Sequence, residues 1–296
     1  MTDNLPFGID DVMIKEHFPL APMSTIGIGG TARFAAFPKS ADAMCEILSI
    51  SDKLGIRNVV IGGGSNVIFP DDEYDGVVIF TKSIDNVSIK DDIITASCGA
   101  RLPYISFISC ENELSGAEFL CGIPGSIGGA ACMNAGAYGS SFADIFLIGK
   151  VYTPSGETVN IDKSAFDFSY RSSLIRKSGC TLLEASLKLK KSSKEKISAT
   201  IEEYKVSRIN SQPINQKSAG SAFLAQNGIS AWKYIDGVGM RGACVGGAVI
   251  SEKHAGFIIN RGDATAKDVA ELIDKIKYNV FEKYNVELKT ELAFIK

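Results

Sequence analysis

This chain of 296 residues is poor in the residues that build metal sites and disulfide scaffolds. It has only two histidines, and its seven cysteines include no C-x-x-C pair. Because zinc is held by clustered cysteine, histidine and carboxylate ligands, no metal site is expected. The cysteines are odd in number, scattered and mostly placed beside apolar residues. That pattern is typical of buried thiols in a reducing compartment, so no disulfides are expected either.

An excess of positive charge and long apolar runs are also absent. The formal net charge is −3 at pH 7, which gives no electrostatic reason to expect nucleic-acid binding. No apolar run is long enough to cross a bilayer. The opening residues, MTDNLPFGIDD, have no basic region followed by an apolar run, so no signal peptide is expected. These absences predict a cytoplasmic protein that binds neither nucleic acid nor membranes. The protein is expected to be a monomer, although none of these absences bears on its assembly.

The pattern of apolar residues predicts mixed helices and strands. Residues 1–19 are predicted as a lead-in with at most a short helix, and Ser40 as the start of a helix with Leu54 on its apolar face. The clearest helix is Thr265–Tyr284, whose apolar stripe is Val269, Leu272, Ile273, Ile276, Val280 and Phe281. Single strands are predicted at residues 243–250 and 286–295. Because helices and strands do not alternate regularly, the predicted class is α+β.

The most distinctive segment is residues 116–139, GAEFLCGIPGSIGGAACMNAGAYG. It contains seven glycines, and Glu118 is its only charged residue. Glycine allows the backbone to approach a ligand closely, so the segment indicates bare N–H groups around a phosphate-bearing cofactor. The alternative is a tightly packed segment or a series of turns. A second glycine loop, GGGSN at 62–66, follows a predicted strand. Two such loops suit a cofactor with a central pyrophosphate and a ring system at each end, as in FAD.

Two further glycine patterns match the dinucleotide fingerprint in spacing only. Gly27-x-Gly29-x-x-Ala32 precedes a strand that ends at Pro38, and Gly237-x-Gly239-x-x-Gly242 stands between a helix and a strand. A Rossmann domain places its glycines between a strand and a helix, in that order. The chain also lacks a P-loop lysine motif and an H-E-x-x-H motif. Nucleotide binding of the Rossmann or P-loop kind is therefore not predicted.

Several motifs in a fixed order resemble a known enzyme family. They are STIGIGG (24–30), IGGGSN (61–66), the glycine-rich segment (116–139), FSYRSS (168–173), SAGSAF (218–223), SEKHAGFIIN (251–260) and VELKTEL (286–292). Together they span almost the whole chain and resemble the UDP-N-acetylenolpyruvoylglucosamine reductases, the flavoenzymes of peptidoglycan precursor synthesis. The short connection between YRSS and Gln212-Pro213 resembles the shorter type of this family, which lacks an inserted substrate-covering loop.

The resemblance implies the fold, the cofactor and the partners. It implies a two-subdomain FAD-binding fold of the vanillyl-alcohol-oxidase/PCMH type and a C-terminal α+β substrate domain. The implied boundaries are 1–84 and 85–205 for the FAD-binding subdomains and 206–296 for the substrate domain, with the last strand returning to the first subdomain. FAD is implied to be bound non-covalently. NADPH reduces it, and the substrate is UDP-N-acetylglucosamine enolpyruvate, which becomes UDP-N-acetylmuramate.

The resemblance also implies the residues that carry the reaction. Hydride transfer to the terminal carbon of the enol double bond leaves negative charge on the adjacent carbon and its carboxylate, so donors at the carboxylate and an acid at the carbon are needed. By match to the family motifs, Arg171 is the cation for the carboxylate and Ser221 the proton donor to carbon. Glu291 is the partner that polarises the carboxylate, for which it should be protonated or share a proton with the substrate.

The remaining site residues follow from the glycine loops and neighbouring motifs. Tyr138 and Arg208 are expected on the substrate side. The expected FAD-binding residues are Gly62, Gly63, Gly64, Ser65, Asn66, Gly122, Ile123, Pro124, Gly125, Ser126, Gly128, Gly129, Asn134, Ala135 and Gly136.

One departure from the family pattern lies directly after the predicted proton donor. The family continues AGS-x-F with a lysine, whereas this chain has Leu224, Ala225 and Gln226. Lys217 and Lys233 are the candidates to replace that charge in space. Two other hypotheses stay open, namely a sugar or lactone oxidase of the same superfamily and a flavin- or nucleotide-binding protein without activity. Many such oxidases attach flavin covalently to histidine, and no histidine lies between His17 and His254.

Overall fold

The computed structural model describes residues 9–296, and these form two compact units. The first unit contains residues 34–63 and 75–206 with the described residues up to Glu16. The second contains residues 17–33, 64–74 and 207–296. Each unit is therefore built from separate stretches of the sequence. The division into three parts at 84/85 and 205/206 stays a prediction.

The strands are short and follow one another in the order β1 (Val12–Pro19), β2 (Thr31–Pro38), β3 (Asn58–Ile61), β4 (Val67–Ile68), β5 (Tyr74–Phe80), β6 (Val87–Lys90), β7 (Ile93–Ser97), β8 (Leu114–Ser115), β9 (Gly136–Ala137), β10 (Ser140–Ser141), β11 (Phe146–Tyr152), β12 (Thr158–Asp162), β13 (Thr181–Lys188), β14 (Lys190–Lys191), β15 (Ser218–Ser221), β16 (Cys244–Val245), β17 (Ala248–Ile250), β18 (Phe257–Asn260) and β19 (Ala293–Phe294). The α-helices are α1 (Ala41–Leu54), α2 (Leu102–Glu111), α3 (Ile127–Met133), α4 (Phe142–Ile145), α5 (Leu174–Ser178), α6 (Lys194–Ser211), α7 (Ala231–Gly237) and α8 (Ala266–Tyr284). No helix within residues 9–296 is both long and apolar enough to cross a membrane.

Local capping explains where the two best-predicted helices begin and end. The Ser40 hydroxyl accepts a hydrogen bond from the Ala43 N–H at 3.2 Å, and Gly55 ends α1 with φ +65°. Thr265 begins α8 with a reciprocal capping box that includes Asp268, and Asn285 ends it in the left-handed region. These signals are local in sequence, so both helices are found where they are predicted.

The first unit contains a five-stranded antiparallel sheet in the order β12-β11-β13-β7-β6. A cluster of phenylalanine rings packs on it, with Phe146 4.4 Å from Phe166 and Phe166 4.7 Å from Phe168 between ring centroids. A second sheet, with the order β1-β2-β5-β3, lies mostly in this unit and packs against the apolar face of α1. Strand β3 of this second sheet ends at the GGGSN loop.

The second unit contains a four-stranded sheet in the order β15-β18-β17-β16 and the parallel pair β19-β4. Helices α7 and α8 supply the other side of its core. The predicted stripe of α8 is buried in that core, except for Phe281, which is 44% exposed. The sheet positions Ser221 at the end of β15, next to the C-terminal segment.

Four predictions of secondary structure or burial are wrong. The predicted lead-in contains strand β1, whose mixed polar and apolar residues follow an edge-strand pattern; its residues 1–8 lie outside the described residues. Leu54 is exposed, since it is the last residue of α1. The strand predicted at 243–250 is a hairpin, because glycines separate β16 from β17. The strand predicted at 286–295 is reduced to β19 and one isolated bridge at Thr290.

Candidate active site

The two predicted cofactor loops meet in the first unit. Gly62 and Gly63 follow the end of β3, and Gly125 and Ser126 precede α3. A methyl group on Gly62 would overlap the Ser126 hydroxyl, and one on Gly63 would lie 2.9 Å from the Gly125 Cα. Real Cβ atoms do not approach other atoms this closely, so glycine is required for the contact. The sequence predicted two separate loops, and the structure places them against each other.

Backbone donors at this contact are available for a ligand. The N–H groups of Gly63, Gly122 and Gly125 donate to no protein acceptor within residues 9–296. Gly63 is exposed and Gly122 and Gly125 are half-buried, so these donors are accessible, and unpaired backbone N–H groups that cluster form anion-binding concavities. The contact therefore has the donors that a pyrophosphate group needs, without a basic side chain.

The glycine-rich segment also contains a helix that the sequence analysis did not predict. Helix α3 begins after Ser126, whose hydroxyl accepts from the Gly129 N–H at 3.5 Å as an N-cap. The Gly128 N–H donates to the Cys98 carbonyl at 2.8 Å, and a Cβ at Gly128 would lie 3.2 Å from that oxygen. Gly128 thus allows the helix to pack closely on the end of β7. This part of the segment fits the alternative of tight packing.

Loop residues 64–66 belong to the second unit. Gly64 has φ +64°, and a Cβ there would overlap the Met23 carbonyl. The Asn66 amide donates to the Glu291 carbonyl at 3.3 Å, and the Ala293 N–H donates to the Asn66 carbonyl at 2.9 Å. These bonds tie the end of the glycine loop to the C-terminal segment.

Arg171 and the end of the glycine-rich segment line one cavity in the first unit. The cavity has a volume of about 230 Å³ and includes Gly136 and Tyr170 in its walls. The Arg171 guanidinium donates through Nη2 to the Gly136 carbonyl at 3.3 Å. Asn134 ends α3 with φ +41°, and its amide donates to the Ser169 carbonyl at 3.0 Å. Asn134 therefore holds the FSYRSS loop beside the end of the glycine-rich segment.

Ser221 and Glu291 lie on adjacent backbone segments of the second unit. Gly220, with φ +78°, precedes Ser221, and Ser221 pairs with Phe257 of β18. The Glu291 N–H donates to the Ala222 carbonyl at 2.9 Å, one residue beyond Ser221. Both side chains are half-buried. The structure thus brings together two of the three predicted catalytic residues within this unit; Arg171 belongs to the first unit.

The residues that replace the family lysine lead into a turn that begins at Gln226. The Gln226 and Ile229 backbones exchange two hydrogen bonds, of 2.9 and 2.8 Å, around Asn227 and Gly228. Asn-Gly is the favoured pair for such a two-residue hairpin turn, so this turn was readable from the sequence but was missed. Of the two candidate replacements, Lys217 packs its side chain over Gly27, and Lys233 lies 5.8 Å from the Trp232 ring centroid.

The His254 ring is packed between aromatic side chains. Its ring lies 5.0 Å from the Phe257 ring and 5.8 Å from the Trp232 ring, measured between centroids. The Gly256 N–H donates to His254 Nδ1 at 3.1 Å, which leaves the proton of the neutral ring on Nε2. Burial lowers the pKa of the His254 imidazole, and the positive charge of Arg241 adds to that effect. The ring is therefore neutral at physiological pH.

We expect the free energy of unfolding to fall as the pH drops below about 6.5, the usual pKa of histidine. Because the pKa of His254 is lower in the folded chain, the unfolded chain binds more protons in this range. The stability that this pKa difference contributes is fully present above about pH 6.5 and is lost progressively as the pH falls towards the lowered pKa of His254. Urea unfolding at pH 7.5 and 5.5 should show a smaller loss for His254→Gln than for wild type. An unchanged loss in His254→Gln contradicts the assignment.

The buried thiol of Cys98 and the half-buried thiol of Cys45 are unreactive at neutral pH. Burial raises the pKa of Cys98 to about 12 and the pKa of Cys45 to about 11. Since the thiolate is the reactive form, both side chains act as small apolar groups at neutral pH. Neither is a candidate nucleophile.

Helix α6 carries two further residues, and the structure supports a role for them to different extents. Arg208 lies on α6 and is half-buried, and its substrate-side role stays a prediction. Tyr204, on the same helix, stacks on Tyr138 with ring centroids 3.9 Å apart. Sequence analysis did not identify Tyr204, because no motif marks it and the contact joins residues far apart in the chain.

Comparison with known proteins gives a consistent result over the whole chain. Residues 32–162 match a family model described as an FAD binding domain. Residues 212–295 match one described as UDP-N-acetylenolpyruvoylglucosamine reductase, C-terminal domain. The predicted α+β class, with an FAD-binding fold and a C-terminal domain, is confirmed by these matches.

Individual relatives agree with the family models. The UDP-N-acetylenolpyruvoylglucosamine reductase of Caldicellulosiruptor bescii is 41% identical over 95% of this chain and 90% of that protein. The protein of the same name from Clostridium kluyveri is 37% identical over 97% of this chain and 94% of its own length. The crystal structure of UDP-N-acetylenolpyruvylglucosamine reductase from Thermus caldophilus is 31% identical with a TM-score of 0.82, and the match covers 96% of this chain and 99% of that one.

Proposed function

The chain belongs to the family of UDP-N-acetylenolpyruvoylglucosamine reductases, and we infer from this membership that it is an NADPH-dependent FAD oxidoreductase. Its reaction converts UDP-N-acetylglucosamine enolpyruvate to UDP-N-acetylmuramate, a step of peptidoglycan precursor synthesis. The observation that carries this conclusion is the similarity over both the FAD-binding part and the C-terminal part of the chain. The resemblance that the ordered motifs indicated is confirmed.

The residues of the first unit fit FAD. Gly63 leaves no room for a side chain where the two loops meet, and the N–H groups of Gly63 and Gly125 suit a pyrophosphate. We propose that these loops, with the other predicted glycine-loop residues, hold the cofactor without a covalent bond. Bound FAD, once reduced by NADPH, supplies the hydride for the enol double bond.

We propose that Arg171 binds the carboxylate of the enolpyruvyl group. A guanidinium presents parallel N–H donors that match a carboxylate and stabilise the charge that develops there. The 3.3 Å bond to the Gly136 carbonyl orients the Arg171 side chain along the cavity wall. Arg171 has φ +55°, an uncommon conformation for a residue with a side chain. Such conformations are often retained where a side chain must point in one direction for function.

We propose that Ser221 donates a proton to the carbon next to the carboxylate and that Glu291 helps to polarise the carboxylate. Hydride and proton together saturate the double bond, so the enol ether becomes a lactyl ether. The backbone bond between Glu291 and Ala222 supports the pair, since it keeps residue 291 next to the strand that ends at Ser221. A serine hydroxyl is a weak acid, so its position decides whether it can act.

The cellular setting and assembly are also proposals. We propose that the enzyme is cytoplasmic, because its buried thiols suit a reducing compartment, and that it is a monomer. Size-exclusion chromatography with light scattering at micromolar concentration measures the assembly directly. A mass of twice 31.6 kDa contradicts the monomer.

The purified protein is expected to be yellow and to bleach anaerobically with NADPH. Adding UDP-N-acetylglucosamine enolpyruvate should then restore the oxidised flavin spectrum in one turnover. If this substrate does not reoxidise the flavin, the reductase function is wrong. Flavin that is reduced by a simple sugar or lactone and reoxidised by oxygen would identify an oxidase, and flavin that NADPH does not bleach would identify an inactive binding protein.

A further inference from the structure

The hairpin that carries the predicted substrate residue Tyr138 has an unusual turn. Strands β9 and β10 pair Ala137 with Ser140, so Tyr138 and Gly139 are the two central residues of the turn. Their φ angles are +54° and +79°. Two positive φ angles define the turn type that favours asparagine or glycine, and a large aromatic residue adopts this conformation rarely. A tyrosine here must be held by its neighbours.

Tyr204 on α6 supplies two of those contacts. The Tyr138 and Tyr204 rings are nearly parallel, with an interplanar angle of 3° and centroids 3.9 Å apart. The Tyr138 hydroxyl also donates to the Tyr204 carbonyl at 2.7 Å. Tyr204 is half-buried and packs against the core of the first unit, so it provides a rigid surface. The Tyr138 side chain is thus fixed both along its ring and at its hydroxyl.

We propose that Tyr204 is a positioning residue for substrate binding, acting through Tyr138; this inference rests on the proposed substrate-side role of Tyr138. If the Tyr138 side chain were mobile, the substrate would have to order it on binding, which costs conformational entropy. The stack on Tyr204 orders the side chain before the substrate binds, so this cost is avoided. The Tyr138 hydroxyl gives its only proton to Tyr204, so it cannot at the same time donate to a phosphate. Its contact with the substrate is therefore made by the ring face or by its oxygen as an acceptor for sugar O–H or N–H groups.

The test compares variants that remove the stack with variants that keep it. Tyr204→Leu keeps apolar contact with the core but removes the ring, and it should raise the KM for the enolpyruvyl substrate about threefold to tenfold. The rate of flavin reduction by NADPH and the kcat should change less than twofold. Tyr204→Phe keeps both the ring and the backbone carbonyl and should retain the wild-type KM. Tyr278→Leu, at an exposed tyrosine of α8, is the matched control and should have no effect.

A double-variant cycle shows whether Tyr204 acts through Tyr138. In a Tyr138→Leu background, Tyr204→Leu should cause no further rise in KM, because the stack is already absent. The inference is overturned if Tyr204→Leu raises the KM by its full factor again in the Tyr138→Leu background. It is also overturned if Tyr138→Leu alone raises the KM and Tyr204→Leu alone does not. An unchanged KM in Tyr138→Leu overturns the substrate-side role of Tyr138 and the inference with it. The reductase function itself is tested separately, by turnover of the wild-type enzyme.

Variants that fail to fold are identified before their kinetics are measured. Flavin content and melting temperature are measured for each variant before kinetics. If Tyr204→Leu loses its flavin, Tyr138→Phe is the remaining test, since it keeps the ring and leaves α6 unchanged while it removes the hydroxyl that donates the 2.7 Å hydrogen bond to the Tyr204 carbonyl. That variant should raise the KM about twofold to fivefold, and a wild-type KM would then overturn the inference.

Discussion

Ser221→Ala is expected to preserve the reduction of the flavin by NADPH and to slow the reduction of the enolpyruvyl substrate by about 10²- to 10⁴-fold, the usual range for loss of a general acid. Only the second half-reaction needs a proton at carbon. The first moves a hydride from NADPH to the flavin and does not involve this hydroxyl. The two half-reactions should therefore separate in this variant.

The position of Ser221 makes the substitution a clean test. Ser221 lies at the end of β15, and its hydroxyl donates no hydrogen bond to a protein acceptor within residues 9–296. Removing its oxygen therefore leaves no buried partner unsatisfied, and stability should change by less than about 1 kcal/mol. Ser218→Ala, at the start of the same strand, is the matched control.

Anaerobic stopped-flow absorbance at the flavin band measures the two half-reactions separately. Ser218→Ala should match wild type in both. If Ser221→Ala slows both half-reactions equally, Ser221 is not the proton donor and acts on flavin binding or on the fold instead. If neither half-reaction slows, water or another group delivers the proton.

Gly63→Ala is expected to weaken FAD binding by roughly 10- to 100-fold, which corresponds to about 1.4–2.7 kcal/mol. The new methyl group would lie 2.9 Å from the Gly125 Cα, so the two glycine loops must move apart. The obstacle is backbone, which cannot move aside as a flexible side chain could, and overpacking of this kind typically costs 1–3 kcal/mol. The N–H groups of the two loops would then no longer converge on one pyrophosphate group.

Gly55→Ala is the matched control for this prediction. Gly55 belongs to the same unit and ends α1 with φ +65°, but a Cβ there meets nothing within 4 Å. It should therefore lose about 1 kcal/mol of stability from its left-handed backbone and keep its flavin. The flavin-to-protein absorbance ratio and fluorescence titration of the apoprotein with FAD measure the effect. Wild-type FAD affinity in Gly63→Ala would show that the contact between the loops does not form the cofactor site.

Much of the site could be predicted because its signals are short and local. The GGGSN loop, the SAGSAF motif and the YRSS motif can each be read within a few residues, and their order identified the family. The Asn227-Gly228 turn was equally local and was simply missed. The roles of Arg171, Ser221 and Glu291 remain proposals, because a motif match gives the identity of a residue and not its distance from a substrate.

Other features could not be predicted, because they depend on contacts between distant residues. The glycine-rich segment was interpreted as a loop, since glycine disfavours helices, but Gly128 allows α3 to pack on the Cys98 carbonyl. The C-terminal residues were predicted as one strand from their composition. In the structure residues 289–291 bond through the backbone to residues 222–224, whereas Ala293 and Ile295 bond to Asn66 and Ile68. In both cases packing outweighs the local preference.

The sequence by itself determined which residues begin and end α1 and α8, which segments are rich in bare backbone donors, and to which family the chain belongs. These depend on capping, on glycine content and on motif order, all of which are local properties. Only the tertiary structure decided that Gly63 lies against Gly125 and that Tyr204 holds Tyr138. The reason is that each contact joins positions more than 60 residues apart, and packing of the intervening elements brings them together.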